Sequence, residues 1–302
     1  MLFDAHNIRI QSLHNDVIDS KKVAVDILRL DEIHPVVSGN KLFKLHYFLE
    51  ETIASSHKTM LTFGGAWSNH LQATAYACQK SGIKSIGIVR GEEPPKLSFA
   101  LQECLGYGMQ LKFLPRDIYA RKESQVVIGE LIREFGDCTI VPEGGFENKG
   151  TAGAKMILDL LKENHYSHII TAVGTATTLA GLMMGASKEQ MIIAVPVLKG
   201  MTDIFERVEK LTGQKINESR LSIIDGYHFG GYAKSDQRLL DFMNKCWEEF
   251  QLPLDLVYTS KMMFVTLDQI NTGYFTEGSK ILCIHTGGLA GNHSLPENTL
   301  LY

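Results

Sequence analysis

The chain has 302 residues, 44% hydrophobic and 21% charged, a composition of soluble globular proteins. It is long enough for two substantial cores, since single cores stop growing near ~250–300 residues. A net charge of −4 without a dense Lys/Arg patch gives no electrostatic basis for binding nucleic acid. Five scattered cysteines (Cys78, Cys104, Cys138, Cys246, Cys283) lack CxxC spacing, a pattern of reduced thiols rather than of a disulfide framework or zinc site, so no metal is expected. The first ten residues mix Asp4, His6, Asn7 and Arg9 and lack the apolar centre of a signal peptide. No apolar run reaches the ~18 residues of a membrane span. The expectation is a cytoplasmic protein with a small-molecule partner.

In chain order, a strand is predicted at Val23–Leu28. An extended stretch from Ile33 to Ser38 then closes on Gly39-Asn40-Lys41, and Leu42, Leu45, Phe48 and Leu49 give one apolar face to a helix over 42–55. A lysine at such a junction points into whatever cleft the junction lines. Burial there would lower its pKa and favour the neutral amine that condenses with an aldehyde. An ordinary solvated lysine at a helix start is the competing reading.

The strand Thr59–Phe63 runs into Gly64-Gly65-Ala66-Trp67-Ser68-Asn69-His70 and a helix over 69–81. Ser68 suits the N-cap position, and the N–H groups at such a helix start can bind a carboxylate while the hydroxyl meets substrate. His70 reads equally as a satisfied core or surface histidine. Strands at 85–89, 110–114 and 138–141 follow, separated by helices at 97–107 and 122–135, and a helix is predicted over 150–163. Glu92-Glu93-Pro94-Pro95-Lys96 reads as a turn.

The strand His168–Ala172 leads into Val173-Gly174-Thr175-Ala176-Thr177-Thr178 and a helix over 178–186. Successive N–H groups of a small-residue turn, helped by the helix's positive end, can wrap a phosphate. A plain tight turn is the alternative, and the segment matches neither GxGxxG nor Walker A. A strand at 191–197, helices at 203–212 and 235–248, and a strand at 280–284 complete the pattern; His285-Thr286-Gly287-Gly288 ends the last strand. Strand–helix alternation with short β-branched strands argues for an α/β protein with largely parallel sheets. Tyr232 and Tyr258 are further acid/base candidates, with packing as their ordinary role.

Five segments in this order, Gly39-Asn40-Lys41 with Lys44-Leu45, Gly64-Gly65 with Ser68-Asn69-His70, Gly174-Thr175-Ala176-Thr177, Val257-Tyr258-Thr259-Ser260-Lys261, and His285-Thr286-Gly287-Gly288, span nearly the whole chain. Together they resemble the 1-aminocyclopropane-1-carboxylate deaminase / D-cysteine desulfhydrase family of fold-type II pyridoxal phosphate enzymes. The resemblance implies a two-lobed, tryptophan synthase β-like fold, each lobe a mainly parallel sheet flanked by helices. Residues 46–141 would form a small lobe inserted into a large one built from 1–45 plus 142–302, with the cofactor between them at the strands' carboxyl ends. It also implies a homodimer.

By the same resemblance, Lys41 carries pyridoxal 5'-phosphate as a Schiff base. Lys44 and the loop Val173, Gly174, Thr175, Ala176, Thr177 and Thr178 hold the phosphate, and Asn69 bonds the cofactor's 3′ oxygen. Ser68 meets the substrate carboxylate or a reacting proton. Trp67, His70, Tyr232 and Tyr258 line the substrate side. Ring-opening deaminases of the family carry Glu after the tyrosine and Leu at the later site, where this chain has Thr259 and Thr286. A hydroxyl can hydrogen-bond the ring nitrogen but brings no charge to stabilise its protonated form. That weaker sink suits β-elimination, as in a D-cysteine desulfhydrase, better than opening an unactivated ring. Trp67 stands where many relatives have Gln, and 230–234 reads Gly-Gly-Tyr-Ala-Lys rather than the usual Gly-Tyr-Gly run. Ring-opening deamination, serine dehydration and a catalytically silent metabolite-binding protein are the alternatives.

Overall fold

A computed structural model describes residues 8–163 and 165–302; Asp4, His6 and Asn7 lie outside the described residues. Among the described residues, ten strands form two sheets. The larger contains β1 (Ile10–Leu13) and β2 (Ala24–Arg29). The smaller contains β3 (Thr59–Gly64), β4 (Lys84–Arg90), β5 (Gln110–Leu114) and β6 (Thr139–Val141). The larger sheet is completed by β7 (His168–Val173), β8 (Met191–Pro196), β9 (Leu221–Ile223) and β10 (Lys280–His285). The larger sheet runs β1-β2-β10-β7-β8-β9 and the smaller β5-β4-β3-β6. Every neighbouring pair is parallel except β1 with β2.

The parallel strands are apolar on both faces, and helices cover both: Ile86, Ile88 and Val89 of β4 are buried, as are all six residues of β3. One continuous core runs between the sheets. It joins Leu28 and Ile284 of the larger to Met60 and Val141 of the smaller through Leu45, Phe48 and Leu49, the apolar face expected of the helix that begins beside Lys41. That helix spans Asn40–Ala54, crossing position 45 without a break. Among the described residues no helix is long and apolar enough to cross a membrane.

Two expectations need correction. Ile33–Ser38 is not extended: the chain makes a 3-10 turn at Leu30–Glu32, and the His34 ring then accepts the N–H groups of Val36 and Val37, both at 3.0 Å, curling the backbone before Gly39. The helix expected over 150–163 stops at Lys155 and resumes only as a 3-10 turn at Leu158–Leu160.

Candidate active site

A cavity of about 490 Å³ is lined by residues of both sheets' loops, among them Lys41, Lys44, Ser68, Asn69, His70, the 174–178 turn, Tyr232, Tyr258 and Thr286. Its walls are built at the carboxyl ends of β3, β4, β6, β7 and β10, where parallel strands release their chains toward a ligand.

Lys41 sits in the first turn of helix Asn40–Ala54, and its Nζ donates to the Thr286 carbonyl at 3.3 Å. The same carbonyl accepts the Asn40 N–H at 3.3 Å. Gly39 makes this approach feasible: its φ is 72°, and any Cβ there would collide with the Thr286 carbonyl. Burial pushes the Lys41 amine down to about 8, against a partial restoring pull from Asp255. Burial, then repulsion from Lys41, pushes Lys44 to about 7. Among the described residues neither amine has a carboxylate within ion-pair distance. Two buried, unpaired amines facing one cavity call for an anionic ligand.

Across the cavity, β7 ends at Val173 and helix Thr177–Gly185 begins after Ala176, a non-glycine residue in the left-handed region at φ 70°. The turn brings the start of the helix, whose first N–H groups lack intrahelical partners, to the cavity wall. Thr175 and Thr177 hydroxyls lie 3.1 Å apart at its mouth, and the Thr178 hydroxyl accepts from Asn40 Nδ2 at 2.7 Å.

Ser68 caps helix Asn69–Lys80, its oxygen accepting the Leu71 N–H at 3.2 Å. The cap uses the oxygen as acceptor and leaves the hydroxyl hydrogen for a ligand. Asn69 Nδ2 donates to the Gly288 carbonyl at 3.3 Å. Thr62 gives its hydroxyl hydrogen to the Val141 carbonyl and so accepts from His70 Nε2 at 2.9 Å. His70 Nδ1 is left a bare, buried acceptor without a partner, as is Asn40 Oδ1. Burial, aided by Lys44 and Lys41, pushes His70 down to about 3, so the ring is neutral. Tyr258 lies beneath Lys41, with the amine 5.6 Å from its ring centre. Burial raises the pKa of Tyr258, and partial desolvation raises that of Tyr232, which is 44% exposed, so both phenols keep their protons at neutral pH.

Three expected residues are placed elsewhere. Trp67 is 38% exposed on the outer side of its turn and does not line the cavity. Val173 is buried beneath the 174–178 turn, 1% exposed, and does not line the cavity. Thr259 is fully buried, and its hydroxyl donates to Asp255 Oδ1 at 2.8 Å while accepting the Asp255 N–H at 2.7 Å. With its one hydrogen spent on Asp255, it has none to give a ring nitrogen; of the two threonines, only Thr286 lines the cavity. The cavity also contains Arg90, Glu143 and Arg207, which the sequence reading passed over. Arg90 ends β4 and Glu143 follows β6, so the carboxyl-end rule applied to every strand would have found both. Behind the wall, His285 contacts Asp31 Oδ1 at 3.0 Å through Nδ1 and the Pro253 carbonyl at 2.7 Å through Nε2, and Arg29 pairs with Asp31 at 2.7 Å. This buried cluster fixes the end of β10 on which the Lys41 contact depends.

A buried amine able to be neutral, a second cation beside it and a turn of free N–H groups opposite fit an aldehyde with an anionic tail, and two buried acceptors without partners border the same space. The chain belongs to the pyridoxal-phosphate dependent enzyme family, whose profile matches residues 19–287. Within it, its relatives are those of the 1-aminocyclopropane-1-carboxylate deaminase / D-cysteine desulfhydrase group, and its cofactor is pyridoxal phosphate. A Pyrococcus horikoshii protein provisionally named as a 1-aminocyclopropane-1-carboxylate deaminase is 28% identical over 287 residues, 90% of this chain and 87% of that one. The mitochondrial bifunctional D-cysteine desulfhydrase/1-aminocyclopropane-1-carboxylate deaminase of Arabidopsis thaliana is 28% identical over 280 residues, 84% of this chain and 70% of that one. The crystal structure of an ACC deaminase homologue superimposes with a TM-score of 0.79 at 27% identity, covering 96% of this chain and 92% of that one. The fold is that of fold-type II enzymes of this cofactor.

Proposed function

We propose that the protein is a lyase that eliminates the β-substituent of a small amino acid, in the manner of a D-cysteine desulfhydrase, giving a 2-oxo acid, ammonia and sulfide. The observation that carries this reading is the pair Lys41 and Lys44 opposite the 174–178 turn, joined to a cavity wall that presents Thr286 rather than a carboxylate, while Thr259 lies behind it bonded to Asp255.

Bound pyridoxal phosphate supplies an electron sink for a carbanion at the substrate's α-carbon. Lys41 is the residue that would hold it, with Lys44 and the 174–178 N–H groups on its phosphate and Asn69 beside its ring. The substrate carboxylate is bound by the Ser68 hydroxyl and the N–H groups of helix Asn69–Lys80. Lys41 Nζ, once free and neutral, takes the α-proton; a value near 8 leaves a usable neutral fraction at working pH. Tyr258 and Tyr232 hold their protons and serve as donors to the departing group. The lobes, 46–141 against 1–45 plus 142–302, exclude water from this step, and two copies assemble as a homodimer.

One relative named for both activities and another named for the deaminase alone support a second reading, ring-opening deamination of 1-aminocyclopropane-1-carboxylate. Incubating the cofactor-loaded protein with D-cysteine, other β-substituted amino acids and the cyclopropane substrate, and assaying 2-oxo acid and sulfide, separates the two. Sulfide and 2-oxo acid from D-cysteine support elimination; 2-oxo acid from the cyclopropane alone overturns it in favour of ring opening.

A further inference from the structure

Lys261 takes no part in the site described so far, yet its ammonium is buried completely on helix Thr259–Thr272. Its Nζ donates to the His228 carbonyl at 2.9 Å and the Gly231 carbonyl at 2.7 Å. These carbonyls belong to a turn of unusual backbone in which Phe229 (φ 49°), Gly230 (φ 92°), Gly231 (φ 118°) and Ala233 (φ 52°) all lie in the left-handed region. Two of the four carry a Cβ, so the turn holds strain that its surroundings must offset.

The same helix supplies two more anchors. The Phe229 ring meets Phe264 edge-on at 5.1 Å, and the Tyr227 hydroxyl donates to Asp268 at 2.5 Å. Lys261, Phe264 and Asp268 follow i, i+3, i+7 spacing and so share one face. The turn leads directly to Tyr232, which lines the cavity and approaches Tyr258 edge-on, ring centres 6.3 Å apart and planes at 73°. Tyr258 is the residue from which that helix starts. One helix therefore carries Tyr258 at its beginning and, along one face, the three anchors of the turn that presents Tyr232.

We infer that Lys261 is a positioning residue that fixes the 228–231 turn so that Tyr232 closes the substrate side of the cavity against Tyr258. The inference rests on the reading of that cavity as the substrate site. Methionine matches the lysine stem in length but has no donor, so it would leave two carbonyls unpaired beside a strained turn.

The test begins with amide hydrogen exchange on the full chain. In Lys261→Met the 227–234 peptide should exchange about 10-fold faster or more, while the strands and helix Gln237–Phe250 keep their wild-type rates. Lys261→Arg, which keeps donors, should restore slow exchange. Unchanged exchange in 227–234, or acceleration spread over the whole chain, overturns the proposal whatever the substrate is. On an amino acid the enzyme turns over, Lys261→Met should lower kcat/KM about 10-fold in the wild-type background but less than about 2-fold in Tyr232→Ala; equal losses in both overturn it. Should Lys261→Met fail to fold, Asp268→Ala loosens the half-buried end of the same face and is held to the same outcomes. Failure to turn over D-cysteine with the exchange result intact would count against elimination alone.

Discussion

Lys41 Nζ lies 3.3 Å from the carbonyl oxygen of Thr286, a residue 245 positions away. The contact ties the first turn of helix Asn40–Ala54 to the end of β10, and the Asn40 N–H doubles it. An amine at a helix start would ordinarily sit in water. Here the end of β10 closes over it, and the resulting desolvation lowers its pKa and favours the neutral amine.

Covalent capture at that nitrogen is directly testable. Borohydride reduction of the loaded enzyme, followed by peptide mass spectrometry, should find the cofactor on Lys41. Lys41→Ala should lose both the adduct and the absorbance near ~410–430 nm characteristic of the lysine-bound cofactor. An adduct on Lys44 or Lys261 instead would contradict the assignment.

The two cavity amines also set a pH dependence for the cofactor-free protein. Lys41 is pushed down to about 8 and Lys44 to about 7, from the 10.5 of an exposed lysine. From pH 7 upward the unfolded chain therefore binds more protons than the folded one, and stability rises with pH. Below pH 7 both states carry the proton and the cost of burying it is present in full. Above about pH 9 the buried thiols, Cys78 and Cys283 among them, are pushed up to about 12 and act in the opposite sense. The urea midpoint should thus climb between pH 7 and 8.5. Lys44→Met should raise the midpoint at pH 7 and flatten the climb, and a midpoint that falls over this window would refute the account.

Eight strands and the parallel architecture were legible because buried parallel strands are short apolar runs between turn residues. What escaped was set by long-range contacts. Helix Thr259–Thr272 opens with Thr259 and Ser260 ahead of Lys261, Met262 and Met263, and its N-terminal donors are satisfied from three positions upstream of Tyr258 by Asp255, which accepts from Val257, Tyr258 and Thr259. No capping signature marks that start. β1 and β9 are four and three residues long, edge strands defined by their neighbours rather than by their own sequence. Within the site, glycine-flanked motifs announced Lys41, Ser68 and the 174–178 turn. Arg90 and Glu143 carry no glycine-flanked motif and could be found only as residues at strand ends, while Arg207, inside helix Ile204–Thr212, reaches the cavity only through the fold.

Gly288 separates backbone strain from function. Its φ is 97°, and a Cβ there would lie 3.0 Å from Asn69 Nδ2 and 3.6 Å from Lys41 Nζ. Gly278 has φ 83° with nothing within 4 Å of its Cβ position. Alanine at either site should cost about 1–2 kcal/mol of stability from left-handed strain. Only Gly288→Ala should also weaken cofactor binding, because its methyl group enters the space beside two cavity-lining side chains, Asn69 and Lys41. Titration of both variants with pyridoxal phosphate checks this, and equal affinities would show the 288 backbone to be remote from the cofactor.

Thr259 bears on the choice between elimination and ring opening. A glutamate there would place a second carboxylate against Asp255, which is 1% exposed and already accepts the Thr259 hydroxyl. Two carboxylates in one buried site cannot both ionise, so the new one would stay protonated. The lost hydroxyl bond and added bulk should destabilise Thr259→Glu by about 3 kcal/mol or more. Asp255→Asn added to it should recover part of that loss by removing the repulsion. Thr286→Leu, at the cavity wall, should fold with far less penalty. Thermal denaturation of these three variants and of Thr259→Glu with Thr286→Leu, with 2-oxo acid production from the cyclopropane substrate measured alongside, distinguishes the outcomes. If Thr259→Glu with Thr286→Leu folds like the wild type and opens the ring, position 259 faces the cofactor and its engagement with Asp255 does not govern the chemistry; if it unfolds, the route to ring opening requires Asp255 to change first.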